Sequence, residues 1–184
     1  MYQTLPVRLV AVGLGLWAVG LGTLAAQGLS REDALAAVYD DAQVRTEQVF
    51  LTPTQLEQVA ARAGQDPASP LVARYVATRN GETVGRAYVD THTVRTKRES
   101  LLISLDAQGR VIRLDVTAFL EPTEFLAPEA WLNQYRGRAL DDDLGIDRTI
   151  RPLAGATLTA RATNDAVRRV LAIDEVLRGA GGAQ

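Results

Sequence analysis

The chain contains no cysteine and, among its 184 residues, a single histidine, His92. The first absence excludes disulfide stapling, thiolate-ligated iron–sulfur clusters, cysteine-based zinc sites and covalent c-type haem. The second excludes a histidine-rich metal site, and a Ser-His-Asp set would have to be built around His92, near which the sequence suggests none. Excess positive charge is also missing. Twenty Lys and Arg stand against 22 Asp and Glu, for a net charge of −2, so the electrostatic footprint of a nucleic-acid binder is absent. No internal repeat is visible. Redox chemistry on such a chain needs an organic cofactor, because the side chains to hold a redox metal are not there.

What is present begins with a long uncharged run. Leu9 to Ala26 is eighteen residues without a charge, preceded by Arg8 and followed by Arg31, Glu32 and Asp33. A membrane span needs roughly 17–25 apolar residues, while the small residues Thr23, Ala25, Ala26 and Gly28 suit a signal-peptide cleavage point. Residues 1–28 are therefore read as a signal peptide or, preferably, an uncleaved membrane anchor. Ala18, Gly22 and Ala26 form a small-xxx-small line of the kind that packs helices together, but a Gly/Ala-rich run produces one without that role. Either reading of the run puts the remainder on the extracytoplasmic (periplasmic) side of the cell membrane. That remainder suits one domain with a single core.

Within it, Ser30-Arg31-Glu32-Asp33 resembles a capping box opening a helix through Val38. Gln43 to Leu51 reads as a strand. Thr52-Pro53 starts a helix to about Ala63, with Pro53 at the first helical position. Two prolines and a glycine between Gly64 and Pro70 mark a loop, which separates a helix–strand–helix segment (29–70) from the main β-rich segment (71–178). There, Leu71 to Thr78, the hairpin turn Asn80-Gly81, Thr83 to Arg95, Glu99 to Leu105, the turn Asp106-Ala107-Gln108-Gly109 and Val111 to Phe119 form an antiparallel series. Pro128 begins a short helix with Trp131 and Tyr135 at i and i+4, expected to cap the core. After a polar loop, Leu158, Ala162, Ala166, Val170, Ile173 and Leu177 recur at helical spacing from Thr157 on. Residues 179–184 read as a flexible tail. Strands gathered in the middle with helices at both ends predict an α+β fold with an antiparallel β-rich core.

The most informative stretch opens that last helix: Ala154-Gly155-Ala156-Thr157-Leu158-Thr159. The first amides of a helix lack internal partners and carry the positive end of its dipole, so a threonine there holds its hydroxyl where a phosphate is welcome. An ordinary capped helix after a tight turn has the same appearance. The stretch resembles the Ser/Thr-Gly-Ala-Thr-x-Thr/Ser signature of the FMN-binding domain family, found in the C subunit of sodium-translocating NADH:quinone oxidoreductase and the G subunit of the Rnf complex. The resemblance covers roughly Val72 to Leu177. It includes the Asp106–Gly109 turn and the acidic segment Glu121-Pro122-Thr123-Glu124, which resembles the family's Glu-Thr-Pro-Gly region. It implies that an ApbE-type flavin transferase esterifies the phosphate of FMN to Thr157, that Gly155, Ala156, Leu158 and Thr159 surround the link, and that the Glu121–Thr123 loop lies near the flavin. It further implies an electron carrier working with membrane or extracytoplasmic redox partners rather than a stand-alone enzyme. Two positions depart from the pattern. Ala154 stands where the family has Ser or Thr, and Arg151 where an aspartate is usual; the nearest upstream acid is Asp147. These departures suit non-covalent FMN, a diverged transferase site, or an accessory or sensor domain with reversible or no flavin.

Other polar clusters carry weaker readings. Tyr88, Asp90 and His92 fall on one face of a strand, as a proton-moving group near a cofactor or as an exposed histidine on a half-buried strand. Asp141-Asp142-Asp143 lacks the spacing of a calcium loop and reads as a solvated acidic turn.

Overall fold

The computed structural model describes residues 30–67 and 69–181. The uncharged run and the proposed anchor lie outside these. No helix among the described residues is long and apolar enough to cross a membrane. The fold is α+β. Five antiparallel strands, β1 (Gln43–Phe50), β2 (Leu71–Arg79), β3 (Glu82–Thr93), β4 (Arg98–Asp106) and β5 (Val111–Phe119), pair in chain order as one sheet. Helix α1 (Arg31–Tyr39) precedes β1 and α2 (Pro53–Ala63) follows it. A short α3 (Glu129–Leu132) and the long α4 (Thr157–Gly181) come after the sheet.

The sheet is buried on both faces, so its inner strands read as near-continuous apolar runs. One face, carrying Tyr88, Leu101, Ile103, Leu105 and Val111, packs against Val167, Val170, Leu171 and Ile173 of α4 and Val59 of α2. The other carries Ala77, Ala87 and Leu102 beneath Ala34, Leu35 and Tyr39 of α1. Each fully buried leucine or isoleucine contributes about 1.5–3 kcal/mol, so the larger face dominates stability. The termini of α1 and α2 are satisfied locally. The hydroxyl of Ser30 accepts from the Asp33 amide at 3.1 Å, and Thr52 and Gln55 form a reciprocal capping box.

Tyr39 shows why α1 docks where it does. Its hydroxyl lies 2.8 Å from the carbonyl oxygens of Arg86 and Leu105 and accepts from the Leu105 amide at 3.1 Å. Burial pushes its pKa up. The ring rests on Gly85, where a Cβ would come within 2.5 Å of the tyrosine ring and 2.6 Å of the Leu105 carbonyl; only glycine admits this approach.

Trp131 and Tyr135 are buried in the core, as expected, and meet edge to face with centroids 5.8 Å apart. Helix α4 runs past Leu177 to Gly181, beyond the end that apolar periodicity predicts.

Candidate functional site

The chain enters α4 through a turn in which the Ala156 amide donates to the Leu153 carbonyl at 3.2 Å, with Gly155 at φ +78°. That left-handed conformation is open to glycine at no steric cost. The last residue before the helix is Ala156, whose carbonyl accepts from Ala160 at 3.0 Å but whose side chain has no oxygen. Among the described residues no side chain accepts from the amides of Thr157, Leu158 or Thr159, in contrast to the starts of α1 and α2. These donors and the positive end of a 25-residue helix therefore face outward.

They face a surface groove of about 260 Å³, lined by Gly155, Ala156, Thr157, Leu158, Thr159, Arg95 and Phe125. Thr157 is exposed, so its hydroxyl is presented to solvent at the helix tip. Thr159 is buried instead, and its hydroxyl donates to the Phe125 carbonyl at 2.7 Å. The two threonines of the signature thus have different jobs: one is offered outward, the other fastens the loop that carries Phe125. Arg95 lies with its guanidinium carbon 4.6 Å from the centre of the Phe125 ring, a cation–π contact that sets a positive charge on the wall of the groove.

Glu121 and Thr123 do not line this groove. Glu121 is buried beside it, where one carboxylate oxygen accepts from three consecutive amides, Arg95 at 3.2 Å, Thr96 at 2.7 Å and Lys97 at 2.8 Å. The Thr96 and Lys97 bonds lead in holding its carboxyl below the usual carboxylate range. Thr123 is exposed and opens the 3₁₀ turn Thr123–Phe125. The acidic segment therefore shapes the groove from behind: Glu121 holds the β3–β4 loop that bears Arg95, and the adjoining turn delivers Phe125. Sequence reasoning missed both of these lining residues. Arg95 sits in a hairpin loop with no local pattern, and Phe125, the aromatic that ends the acidic segment, was the one available signal.

Upstream, Arg151 is exposed. Its amide donates to Gln134 Oε1 at 3.0 Å, and its carbonyl accepts from Trp131 Nε1 at 2.8 Å. The segment approaching the helix is thus tied to the α3 region by its backbone and by Arg151 Nε, which donates to the same Gln134 oxygen at 3.4 Å, with Arg151 still exposed.

A second polar cluster lies between the sheet and α4. Tyr88, Asp90 and His92 do share a face, but His92 is not exposed: its side chain is 10% accessible. The reason is pairing across the β3–β4 ladder. Nδ1 lies 2.9 Å from Asp90 Oδ1 and Nε2 lies 3.0 Å from Oε2 of Glu99, which is fully buried. Asp90 also receives two bonds from Arg169 of α4, at 2.8 and 2.9 Å. Burial alone lowers a histidine pKa, but here the bonds to Asp90 and Glu99 and the charges behind them outweigh it and raise the pKa to about 9. The ring is a cation at neutral pH, held between Asp90 and Glu99, and does not titrate there.

Asp141, Asp142 and Asp143 are exposed, and no cluster of acidic or histidine side chains suited to a metal occurs among the described residues. Comparison with family models, with curated proteins and with solved structures finds no match to this chain.

Proposed function

We propose that this chain is an extracytoplasmic electron-transfer flavoprotein that carries FMN through its phosphate on Thr157, attached by an ApbE-type flavin transferase. The observation that carries the reading is exposed Thr157 at an α4 start that no side chain among the described residues caps, in a groove with Arg95 on its wall. The residues present fit a phosphate ester: unpartnered amides, the helix dipole and a cation all favour a dianion at this place. When bound, FMN supplies the one- and two-electron chemistry that the side chains of this cysteine-free chain lack. The chain's part is to hold the phosphate, to present a hydroxyl to the transferase, and to leave the ring reachable by other proteins. A surface groove serves a relay better than an enclosed, water-excluding pocket would. The uncharged run Leu9–Ala26 supports a relay working at the membrane.

A second reading is favoured by Arg151 and Ala154: an accessory or sensor domain that binds FMN reversibly or not at all. Co-expression with an active flavin transferase separates the two. The first reading expects an intact mass increased by one FMN less one water, lost in Thr157→Ala and kept in Thr159→Ala. An unmodified mass, with the transferase shown to act on another target, refutes it. Flavin that copurifies but is released on denaturation supports the second.

A further inference from the structure

Strand β1 is one of the two edges of the sheet, β5 being the other. Its strand neighbour is β2, and among the described residues nothing pairs with its outer side. Sheet edges are usually blunted by short length, lysine, proline or a bulge. β1 has eight residues, Gln43-Val44-Arg45-Thr46-Glu47-Gln48-Val49-Phe50, with no lysine or proline, and its register with β2 runs without a shift. Its charges are one arginine and one glutamate, two residues apart and hence on the same face. On the opposite face stand Val44 and Phe50, 39% and 71% exposed.

We propose that β1 is a self-association edge: it pairs antiparallel with β1 of a second copy of this chain, about a two-fold axis through Thr46. In such an isologous contact a residue of one copy meets its counterpart's reciprocal residue. With Thr46 opposite Thr46, Arg45 of each copy stands opposite Glu47 of the other, twice. Centring the pair on Arg45 or on Glu47 instead sets like charges face to face, which is destabilising. The charge pattern therefore selects one register. On the other face the same register places Phe50 of each copy opposite Ala42 and diagonal to Val44 of the other, within reach of an aromatic side chain. The two exposed apolar residues of β1 thus cover each other, although among the described residues nothing in the single chain covers them. Within one copy Arg45, with 76% of its side chain exposed, reaches along its own strand to Glu47, which is held by Arg74 at 2.6 Å. With the Arg45 side chain so exposed, its hold on Glu47 contributes little, and Arg45 can turn to the second copy while Arg74 keeps Glu47 in place. The result is a ten-stranded sheet with both α4 helices on the same side.

The absence of native cysteine makes a direct test possible, because an introduced thiol reports on its position alone. In the full chain, Thr46→Cys on the two-fold axis brings two thiols into disulfide range and should give a covalent dimer under mild oxidation. Gln43→Cys should not, since position 43 lies opposite position 49 and the two thiols stand on the order of 20 Å apart at about 3.4 Å per residue. Adding Arg45→Glu to Thr46→Cys should reduce the dimer to the level of the Gln43→Cys control. Mixing that chain with one carrying Glu47→Arg and Thr46→Cys should restore the crosslink, now as a heterodimer distinguishable by a size tag. A free thiol at position 46 in a monomeric chain overturns the proposal, whether the edge is bare or occupied by residues 1–29. Equal crosslinking at positions 43 and 46, or crosslinking of position 46 to a different protein, overturns it as well.

Discussion

The single histidine offers a clean perturbation, because no other imidazole contributes to the pH dependence of stability. His92 has an ordinary value of 6.5 and a folded value of about 9. At about 1.4 kcal/mol per unit, protonated His92 contributes about 3 kcal/mol to the folded state. The folded pKa lies above the unfolded one, so this contribution is fully present below about pH 6.5 and is lost as pH rises through about 9. By the same relation, roughly 2 kcal/mol is already gone at pH 8. Three buried tyrosines, Tyr39, Tyr88 and Tyr135, also have raised values, but they erode stability only above their unfolded value of 10.0, which leaves the window from pH 6 to 9.5 to His92. Urea titrations across that window should show the unfolding midpoint falling by about 1.5 M for a slope of about 2 kcal/mol/M. An NMR titration of the one imidazole should give the folded pKa directly. A midpoint flat between pH 6 and 9.5, or an imidazole titrating near 6.5, refutes the reading of His92 as a buried imidazolium held by Asp90 and Glu99.

Substitutions elsewhere in the domain test the same geometry. Thr159→Ala should lower the unfolding free energy by about 1 kcal/mol through the lost bond to Phe125, while Thr157→Ala, at an exposed position, should leave the denaturation midpoint within about 0.5 kcal/mol of wild type. Asp174 is fully buried and accepts from Arg86, from the Tyr88 hydroxyl at 2.8 Å and from Arg178 at 2.7 Å, so Asp174→Ala should cost about 3–5 kcal/mol in a thermal or chemical melt. Glu121→Ala should speed hydrogen exchange at the Arg95, Thr96 and Lys97 amides and lower the flavinylated fraction, with the α4 amides as protected as before.

Local signals in the sequence carried much of the fold. The Asn80-Gly81 turn, the Asp106–Gly109 turn and the Thr52 capping box each act within four residues, and each element they bound lies where expected. What was not legible depends on contacts between distant residues. That β1 joins the same sheet, across the intervening α2, is decided by its pairing with β2 and by no local pattern. The burial of His92 depends on Glu99 across a hairpin and on Arg169, 79 residues from Asp90. Likewise the helix start announced Thr157, while Arg95 and Phe125 reach the same groove only because Glu121 and Thr159 fix two separate loops. Glu121, which the resemblance sets in a loop near the flavin, holds the β3–β4 loop that bears Arg95, a role that no local pattern announces.

The missing cap at Ala156 also makes α4 responsive to whatever occupies its tip. A side-chain cap stabilises a helix start by about 1 kcal/mol, and α4, which packs along the larger face of the sheet, begins without one among the described residues. An acceptor oxygen supplied from outside the chain, reversibly or as an ester on Thr157, would make good that deficit in the folded state and not in the unfolded chain. Occupancy and stability are then thermodynamically linked: loading the helix tip should raise the melting temperature of the whole domain, and a shift in that temperature would register the loading even for a ligand without colour.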